Sequence, residues 1–226
     1  MTVKFAQTLD GRIATASRDG ARRISGPASL QLAHELRAEH QAILVGVNTV
    51  IADDPLLTVR LVPGSNPLRI VVDSTARIPI TAALINDESP SNTLIAHTDR
   101  APDTRLQALC QRGVQTLCVT MDQDDRVNLR ALMVDLRNRG IESLMVEGGA
   151  AITTRLLHEQ LVDRLVICVA PKLVGNGVNA IGDLSITRLD QALTFSQLTV
   201  KQLGKDVIFD GLLADAALHV ASSSGT

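Results

Sequence analysis

The sequence predicts an α/β fold with a mainly parallel central sheet, helices on both faces and antiparallel strands towards the C-terminus. Short apolar runs alternate with segments of helical length through the first two thirds of the chain, which is typical of parallel sheets. Several of these runs are apolar at every position, as expected of strands that are covered on both faces. After Leu161 the pattern changes to strands and turns with little helix, which indicates antiparallel strands added to the same sheet.

Eight segments have strand character. Each is a short run of mainly apolar residues, and turn-forming residues or helical patterns separate it from the next run. The predicted strands are 3–8, 42–47, 69–72, 93–97, 115–120, 143–146, 165–170 and 207–209.

Four segments between these strands have helical patterns. Leu129, Leu132, Met133 and Leu136 follow the i, i+3, i+4, i+7 spacing of one buried helix face, and Gly140 supplies a stop signal. Another pattern begins just after a Gly-Pro start signal. The predicted helices are 28–40, 103–112, 129–139 and 150–160.

Composition and charge exclude two classes of partner. The 226-residue chain has 22 Lys and Arg against 24 Asp and Glu, so it lacks the basic field that gathers a nucleic-acid backbone. Three Phe and no Trp or Tyr leave almost nothing on which bases could stack. The apolar runs are far shorter than the ~20 residues of a membrane-spanning helix. We therefore expect a small-molecule partner, with neither nucleic acid nor a membrane involved.

The cysteines and the chain ends indicate a compartment and a domain organisation. Cys110, Cys118 and Cys168 are odd in number, far apart and set in apolar patterns, which suits a reducing compartment. The N-terminus lacks the architecture of a signal peptide, so we expect a cytoplasmic protein. We expect one domain over residues 1–215. Residues 216–226 are expected to form a flexible tail, because the last six hold nothing apolar enough to anchor them.

The strongest local signal for a ligand site is an apolar strand that runs directly into Glu147-Gly148-Gly149 and then into a helix. Two glycines let the backbone approach a ligand closely, and unpaired N–H groups at a helix start attract phosphate. The segment therefore predicts a pyrophosphate site with a carboxylate beside it. A tight strand-to-helix turn with a solvated glutamate is the alternative interpretation.

Other polar residues lie at the carboxyl ends of predicted strands, where open α/β sheets bind ligands. Asp53 and Arg60 follow the second predicted strand, and Arg37 lies on the first predicted helix. Ser74 follows the third strand, with Arg77 three residues further on. A hydroxyl and a guanidinium there could hold the 2′-phosphate that separates NADP from NAD. Taken singly, these residues also suit turn capping or surface charge.

The histidines and Lys4 complete the candidates for chemistry. The five histidines have no metal-ligand spacing, and the zinc-deaminase motifs H-x-E and P-C-x-x-C are absent, so we expect no metal site. Lys4 lies inside the first predicted strand. It is a candidate proton donor if it faces a cleft, and otherwise a lysine that extends to solvent from an edge strand.

The segments together resemble the pyrimidine reductase of riboflavin biosynthesis, both as a domain of the bifunctional deaminase/reductase and in its stand-alone archaeal form. Their order and spacing match from residue 3 to about residue 211, and the ensemble is highly specific. The matching segments are KFA at 4–6, TLDGRIA at 8–14, RIS at 23–25, LRA at 36–38, AILVG at 42–46, TV at 49–50, DDPLLTVR at 53–60, VVDS at 71–74, VEGG at 146–149, LVD at 161–163 and APKLVG at 170–175.

The resemblance implies a dihydrofolate-reductase-like fold, a homodimer and NADPH as cofactor. The implied reaction reduces the ribosyl group of a 5-amino-6-(5-phosphoribosylamino)pyrimidine to the ribitylamino form, by hydride transfer to C1′ of the opened sugar. Lys4 and Glu147 are the candidates to protonate or polarise that sugar. Arg37 and Arg60 suit its 5′-phosphate, because a guanidinium offers a fork of donors to a dianion. Whether the pyrimidine carries a 2-amino or a 2-oxo group stays open.

Carried over by position, the family's ligand contacts form two groups. Its substrate contacts fall on Arg37, Leu57, Arg60 and Glu147. Its NADPH contacts fall on Ala6, Arg23, Thr49, Asp53, Ser74, Gly149, Ala150, Ala151, Ile152, Thr153, Thr154 and Arg155.

The chain departs from the family pattern at two positions. Many members carry Ser and Trp where this chain has Ala21 and Arg23. Arg at that place resembles the stand-alone archaeal type, whereas Ala21 removes one expected hydrogen bond to the substrate. Two other functions stay open, because a fold does not determine a substrate. They are an NADPH reductase of another heterocycle, such as a pterin, and a catalytically silent NADP-binding paralogue.

The implied homodimer has a candidate interface in the strand predicted over residues 165–170. This strand is apolar throughout, and a late strand in a small sheet has few partners left to cover it. An exposed strand edge invites pairing with a second copy. We therefore expect it to lie at a symmetric interface.

Overall fold

A nine-stranded sheet forms the centre of the computed structural model, which describes residues 1–17 and 23–214. The strands are β1 (Thr2–Thr8), β2 (Arg12–Thr15), β3 (Ala42–Gly46), β4 (Leu68–Val72), β5 (Thr93–His97), β6 (Gln115–Cys118), β7 (Leu144–Val146), β8 (Arg164–Ala170), β9 (Gly177–Asn179), β10 (Phe195–Leu203) and β11 (Asp206–Leu213). Their order is β10-β11-β8-β1-β7-β3-β4-β5-β6, and β2 pairs with β9 in a separate small sheet. The pairs from β8 to β6 are parallel, whereas β11 is antiparallel to both β8 and β10.

Six α-helices occur in the described residues. They are α1 (Pro27–Glu39), α2 (Val47–Asp53), α3 (Ala83–Asn86), α4 (Asp103–Cys110), α5 (Leu129–Asn138) and α6 (Ala150–His158). Pro27 at the first position starts α1, and the Asn128 side chain caps α5 by accepting from the Ala131 N–H at 3.0 Å. None of the helices in this part of the chain combines the length and hydrophobicity that a membrane-spanning segment needs.

The helices cover both faces of the sheet because alternate strand residues point to opposite sides. In β3, Leu44 belongs to the core shared with α5 and α6, and Val45 belongs to the core shared with α2, α3 and α4. Helix α1 covers the second face further along, where Leu36 packs with Val166 of β8. The strand ends therefore lie between helices on both sides.

The predicted fold class is confirmed, and all eight predicted strands and four predicted helices are present with ends that shift by a few residues. Helix α2 is absent from the prediction, and Val47 begins it directly after β3. Strands β2, β9 and β10 are absent from the prediction; β10 is exposed along most of its length, so it lacks a clear apolar pattern. Ala21 and the predicted tail over 216–226 lie outside the described residues.

The predicted edge position of β8 is wrong. Strand β8 lies between β1 and β11 and pairs with both, so its polar backbone groups are engaged on each side. Its apolar character comes from burial within the subunit, where Val166 has no exposed surface. The edges of the main sheet in the described chain are β10 and β6. The homodimer itself stays a prediction, but the edge of β8 is no longer its expected interface.

Val166→Lys should therefore unfold the protein rather than separate subunits. A lysine ammonium forced into this apolar core should lower the free energy of unfolding by about 3 kcal/mol or more. The matched control is Val134→Lys on α5, since Val134 is 56% exposed and the change should stay within about 0.5 kcal/mol. Urea unfolding followed by circular dichroism measures both. Equal stability of the two variants would contradict the buried position of β8.

Candidate active site

The predicted site residues converge at the carboxyl ends of neighbouring parallel strands. Strand β7 lies between β1 and β3, and β4 follows β3 in the sheet. Glu147 follows β7, Ser74 follows β4, and Thr49 lies in the first turns of α2 after β3. The carboxyl ends of parallel strands are where open α/β folds bind ligands.

Arg37 and Glu147 form the central ion pair of the cleft. Arg37 lies on the buried side of α1 and donates from Nε to Glu147 Oε1 at 2.8 Å and from Nη2 to Oε2 at 2.6 Å. Its Nη1 donates to the Thr58 carbonyl oxygen at 3.0 Å. The bidentate geometry orients both side chains, and the third bond ties α1 to the segment that follows α2.

The Glu147 side chain is ionised at neutral pH. Burial would raise the pKa of this carboxyl, but the charge and hydrogen bonds of Arg37 and the nearby charge of Lys4 hold the pKa below its usual range. A carboxylate of low pKa accepts hydrogen bonds and is a weak proton donor. Of the two proton-donor candidates, Glu147 is therefore the less suitable.

Positive charge is concentrated around this pair. Lys4 on β1 is 9% exposed and has no hydrogen-bond or ion-pair partner in the part of the chain that the structure describes. The pKa of Arg60 is lowered by desolvation and by the like charges of Arg37 and Arg23. Crowded cations of this kind are relieved by an anion, so the cleft favours a negatively charged ligand.

His34 belongs to the cleft, although it is not among the site residues predicted from the sequence. It is 1% exposed, and its Nδ1 accepts the Arg60 backbone N–H at 2.9 Å. Burial and the charges of Arg37 and Arg60 lower the pKa of this imidazole, so it is neutral. The signal in the sequence was its place three residues before Arg37, which puts both on one helix face.

The segment between α2 and β4 carries the predicted contacts Asp53, Leu57 and Arg60. Asp53 is the last residue of α2 and is exposed. Its carboxylate has no hydrogen-bond or ion-pair partner among the described residues. Leu57 is buried and has φ of 55°, a left-handed conformation that is unusual for leucine. Its side chain packs in the core, so its backbone is the part that can face a ligand.

The N-terminus of α6 has the features of an anion site. Gly149 is the N-cap residue and no side chain caps the helix, so the N–H groups of the first turn are left for a ligand. A Cβ built on Gly149 would meet only Thr49 Oγ1, at 3.5 Å. Space is therefore open in front of the helix. The interpretation as a simple tight turn does not require this opening.

Gly148 has a different reason for being glycine. A Cβ there would lie 3.0 Å from Ile152 Cβ, so its absence lets α6 pack closely on the strand end. Gly46 at the end of β3 acts likewise, since its Cβ would lie 2.9 Å from Ile152 Cγ1.

The rest of the predicted cofactor stretch is engaged inside the protein. Ile152 and Thr153 are buried, and Thr154 Oγ1 accepts the Gly182 N–H at 2.7 Å. Arg155 pairs with Asp122 at 2.7 Å. Residues 149–151, at the start of α6, are the uncapped part of this stretch, whereas Thr154 and Arg155 line a cavity with Asp122.

Ser74 follows β4 and Ala6 lies on β1, and strands β7 and β3 lie between these two strands. Ser74 Oγ accepts the Val127 N–H at 3.0 Å, which leaves the hydroxyl hydrogen free to donate. Arg77 donates to Asn48 Oδ1 at 3.1 Å. Ala6 lies on β1 opposite Cys168 of β8, and its side chain is a single methyl group.

Two further residues hold loops at the cleft. Asp10 accepts the Thr8 hydroxyl and the Gly175 N–H, both at 2.6 Å, and these bonds lower the pKa of its carboxyl to about 2. Lys172, in the same loop as Gly175, donates to the Ile24 carbonyl oxygen at 2.7 Å. Arg23, the residue before Ile24, lies within the electrostatic reach of Arg60.

The chain belongs to the RibD C-terminal domain family, whose model matches residues 1–209. It is similar to the 2,5-diamino-6-ribosylamino-4(3H)-pyrimidinone 5′-phosphate reductase of Methanothermobacter thermautotrophicus, with 42% identity over 91% of this chain and 94% of that protein. It is also 38% identical to the riboflavin biosynthesis protein RibD of Aquifex aeolicus, over 92% of this chain and 56% of that protein.

A solved structure of Acinetobacter baumannii RibD is similar in fold, with a TM-score of 0.81 and 30% identity, over 94% of this chain and 57% of that one. The family resemblance inferred from the sequence and the dihydrofolate-reductase-like fold class that it implies are thereby confirmed. The chain spans a little over half of the RibD proteins that it matches.

Glu147→Gln should destabilise the protein most at neutral pH. Because the pKa of Glu147 is lowered from 4.5, its contribution is present above that value and is lost as the pH falls through the lower folded value. We expect a loss of about 1.5–3 kcal/mol at pH 7. Thermal unfolding from pH 7 to pH 3 should show the difference from the wild type shrinking in acid.

The control is Glu142→Gln, which changes an exposed carboxylate and should leave the pH profile unaltered. A Glu147→Gln deficit that is constant across the whole pH range would contradict the lowered pKa.

Proposed function

We propose that this chain is an NADPH-dependent reductase of riboflavin biosynthesis that converts 2,5-diamino-6-ribosylamino-4(3H)-pyrimidinone 5′-phosphate to the ribitylamino form. The names of its relatives in Methanothermobacter thermautotrophicus and Archaeoglobus fulgidus support this substrate. The observation that carries the proposal is the ionised Arg37–Glu147 pair among Lys4, Arg23 and Arg60. A phosphorylated sugar needs both an anion site and an acceptor for its hydroxyls, and this cluster offers both.

The arginines divide the recognition of the substrate. Arg37 already uses three hydrogen-bond donors on Glu147 and Thr58, so its main task is to hold the carboxylate. Arg60 uses its side chain only on the neighbouring Thr58 hydroxyl within the described chain. We assign the 5′-phosphate chiefly to Arg60, with Arg23 as a second cation. Glu147 is left to accept hydrogen bonds from the sugar.

The residues at the start of α6 fit NADPH. A pyrophosphate suits the uncapped helix N-terminus and the open space between Gly149 and Thr49, where a Cβ would intrude. Ser74 supplies a hydroxyl donor for the adenosine 2′-phosphate. When bound, NADPH supplies the hydride that adds to C1′ of the opened sugar.

Lys4 is the proposed proton donor. Ring opening breaks the bond between C1′ and O4′, the amine nitrogen forms a double bond to C1′, and O4′ takes a proton. The Lys4 residue is 9% exposed, its charge lies close enough to Glu147 to lower the pKa of that carboxyl, and its ammonium has no acceptor among the described residues. It can therefore give its proton to O4′ and recover one from solvent. Hydride and proton together account for the two hydrogens gained by the substrate.

The alternatives predict different behaviour. A pterin-like substrate without phosphate would not need the cations around Arg60, so the charge of the cleft disfavours that reductase. A silent paralogue would bind NADPH without turnover. The free thiols of Cys110, Cys118 and Cys168 suit our proposal of a cytoplasmic enzyme, and we retain the proposal of a homodimer.

The deciding experiment is turnover of the 2,5-diamino substrate and of its 2-oxo counterpart, each with NADPH. We expect NADPH to be oxidised when a pyrimidine substrate is present, with a higher kcat/KM for the 2,5-diamino compound than for the 2-oxo compound. A protein that binds NADPH but oxidises it with neither pyrimidine would overturn the proposal in favour of a silent paralogue.

Gly149→Val should weaken NADPH binding while the protein stays folded. The added side chain occupies the space in front of α6 where the pyrophosphate is proposed to bind. Only Thr49 Oγ1 lies within 4 Å of the new Cβ, so the valine should fit without a clash and the protein should stay folded. Thermal shift should show an unchanged midpoint without ligand and a lost increase with NADPH. Gly148→Ala is the contrasting control, because its Cβ meets Ile152 and should lower the midpoint without ligand. Collapse of unliganded Gly149→Val would favour the simple-turn interpretation.

NADPH should be preferred over NADH by at least tenfold in kcat/KM, which is about 1.4 kcal/mol. Ser74→Ala should lower the ratio of kcat/KM with NADPH to kcat/KM with NADH, because it removes the hydroxyl donor to the 2′-phosphate. Ser143→Ala is the matched control. Ser143 precedes β7, so it lies at the amino ends of the strands and away from Ser74, and its Oγ accepts the Gln41 N–H at 2.9 Å. Equal rates with both cofactors in the wild type would contradict the role of Ser74.

A further inference from the structure

His34 is a buried polar residue of the cleft to which the proposed reaction gives no task. We propose that His34 is a positioning residue for phosphate recognition: its neutral ring holds the Arg60 backbone and so aims the Arg60 guanidinium at the phosphate of the substrate. The inference rests on the proposed reductase function, and it adds the residue that sets the geometry of the phosphate site.

The Arg60 segment depends on side chains for its shape. Residues 58–60 belong to no helix or strand, and no backbone–backbone hydrogen bond holds them within the described chain. Arg37 binds the Thr58 carbonyl at 3.0 Å, and Asn66 Oδ1 accepts the Val59 N–H at 2.7 Å. His34 Nδ1 accepts the Arg60 N–H at 2.9 Å. The His34 bond is therefore the one that holds the Arg60 backbone, while the Arg60 guanidinium donates to the Thr58 hydroxyl.

The contact requires one tautomer of the imidazole. A backbone N–H can only donate, so Nδ1 is the unprotonated acceptor and the ring hydrogen is on Nε2. A protonated ring would present N–H at both nitrogens and lose this bond. Burial and the positive charges of Arg37, Arg60 and Lys4 disfavour protonation, against the opposing charge of Glu147, so the pKa of His34 is lowered.

Helix α1 thus presents two neighbouring side chains with separate tasks. His34 and Arg37 lie three residues apart on the buried side of the helix. Arg37 orients the carboxylate, and His34 orients the second arginine. Loss of His34 should therefore affect the affinity for a phosphorylated ligand more than the chemical step.

The first test compares His34→Leu with His34→Asn, because an asparagine Oδ1 can take the place of Nδ1 as acceptor. His34→Leu should raise KM for the phosphorylated pyrimidine about tenfold, with kcat and the KM for NADPH within about twofold of the wild type. His34→Asn should restore KM to within about threefold. A merely structural role would instead lower the active fraction, and with it the apparent kcat, at unchanged KM.

The matched control is His40→Leu, at the residue that follows the last turn of α1. His40 is half-buried and hydrogen-bonded to the Leu36 carbonyl and the Thr2 hydroxyl, away from the Arg60 segment. Its loss should leave KM for the pyrimidine unchanged. A rise in KM equal to that of His34→Leu would overturn the inference.

Equilibrium binding of ribose 5-phosphate separates this inference from the proposed reaction. Calorimetry should show binding to the wild type, about tenfold weaker binding to His34→Leu and near-normal binding to His34→Asn. This result would stand even if the wild type fails to reduce the pyrimidine, which would overturn the proposed function alone. Equal ribose 5-phosphate affinity in the wild type and a folded His34→Leu, or no binding to the wild type, would overturn the role of His34.

Discussion

The ion pair between Arg37 and Glu147 is the contact on which the rest of the cleft depends. It joins α1 to the carboxyl end of β7, and the same guanidinium holds Thr58. Helix α1 is fixed in turn by Asp206 of β11, which accepts the Gly26 N–H at 2.7 Å and the Ser29 hydroxyl at 2.6 Å. The antiparallel C-terminal strands therefore help to position the substrate side of the cleft, although they lie at one edge of the sheet. A buried pair of this kind is costly to break on one side only, which makes its geometry stable.

The proposed cofactor side of the cleft is set by close packing rather than by charge. Gly46 and Gly148 lack the side chains that would push Ile152 away, so α6 lies tightly against the ends of β3 and β7. This places the uncapped helix start beside Glu147. An electropositive helix terminus and a cation-bound carboxylate then face the same space from opposite faces of the sheet. In our account, this juxtaposition brings a hydride donor and a sugar phosphate together.

The sequence predicted the parts of this molecule whose patterns are regular or whose motifs are specific. The apolar strands, the helices α1, α4, α5 and α6, and the convergence of Arg37 with Glu147 belong to this group. The edge position of β8 was wrong because an all-apolar run is the same whether a strand is covered by its own subunit or by another. His34 was missed because its role arises from a backbone N–H that comes 26 residues later, and no local pattern encodes that contact. Thr154 and Arg155 stay predicted cofactor contacts by family position; in the structure the Thr154 hydroxyl accepts the Gly182 N–H and Arg155 donates to Asp122.

We propose that the cations around the Arg37–Glu147 pair recognise the phosphate of the substrate, with Arg60 as the main contact. The most direct measurement compares kcat/KM for the phosphorylated pyrimidine and for its dephosphorylated form, in the wild type and in Arg60→Gln. We expect the wild type to favour the phosphorylated compound by about 100-fold or more, since a charge-assisted guanidinium contact is worth roughly 2–3 kcal/mol. Arg60→Gln should lose most of this preference and keep the wild-type kcat/KM for the dephosphorylated compound. An equal fall in kcat/KM for both compounds in Arg60→Gln would contradict this role of Arg60.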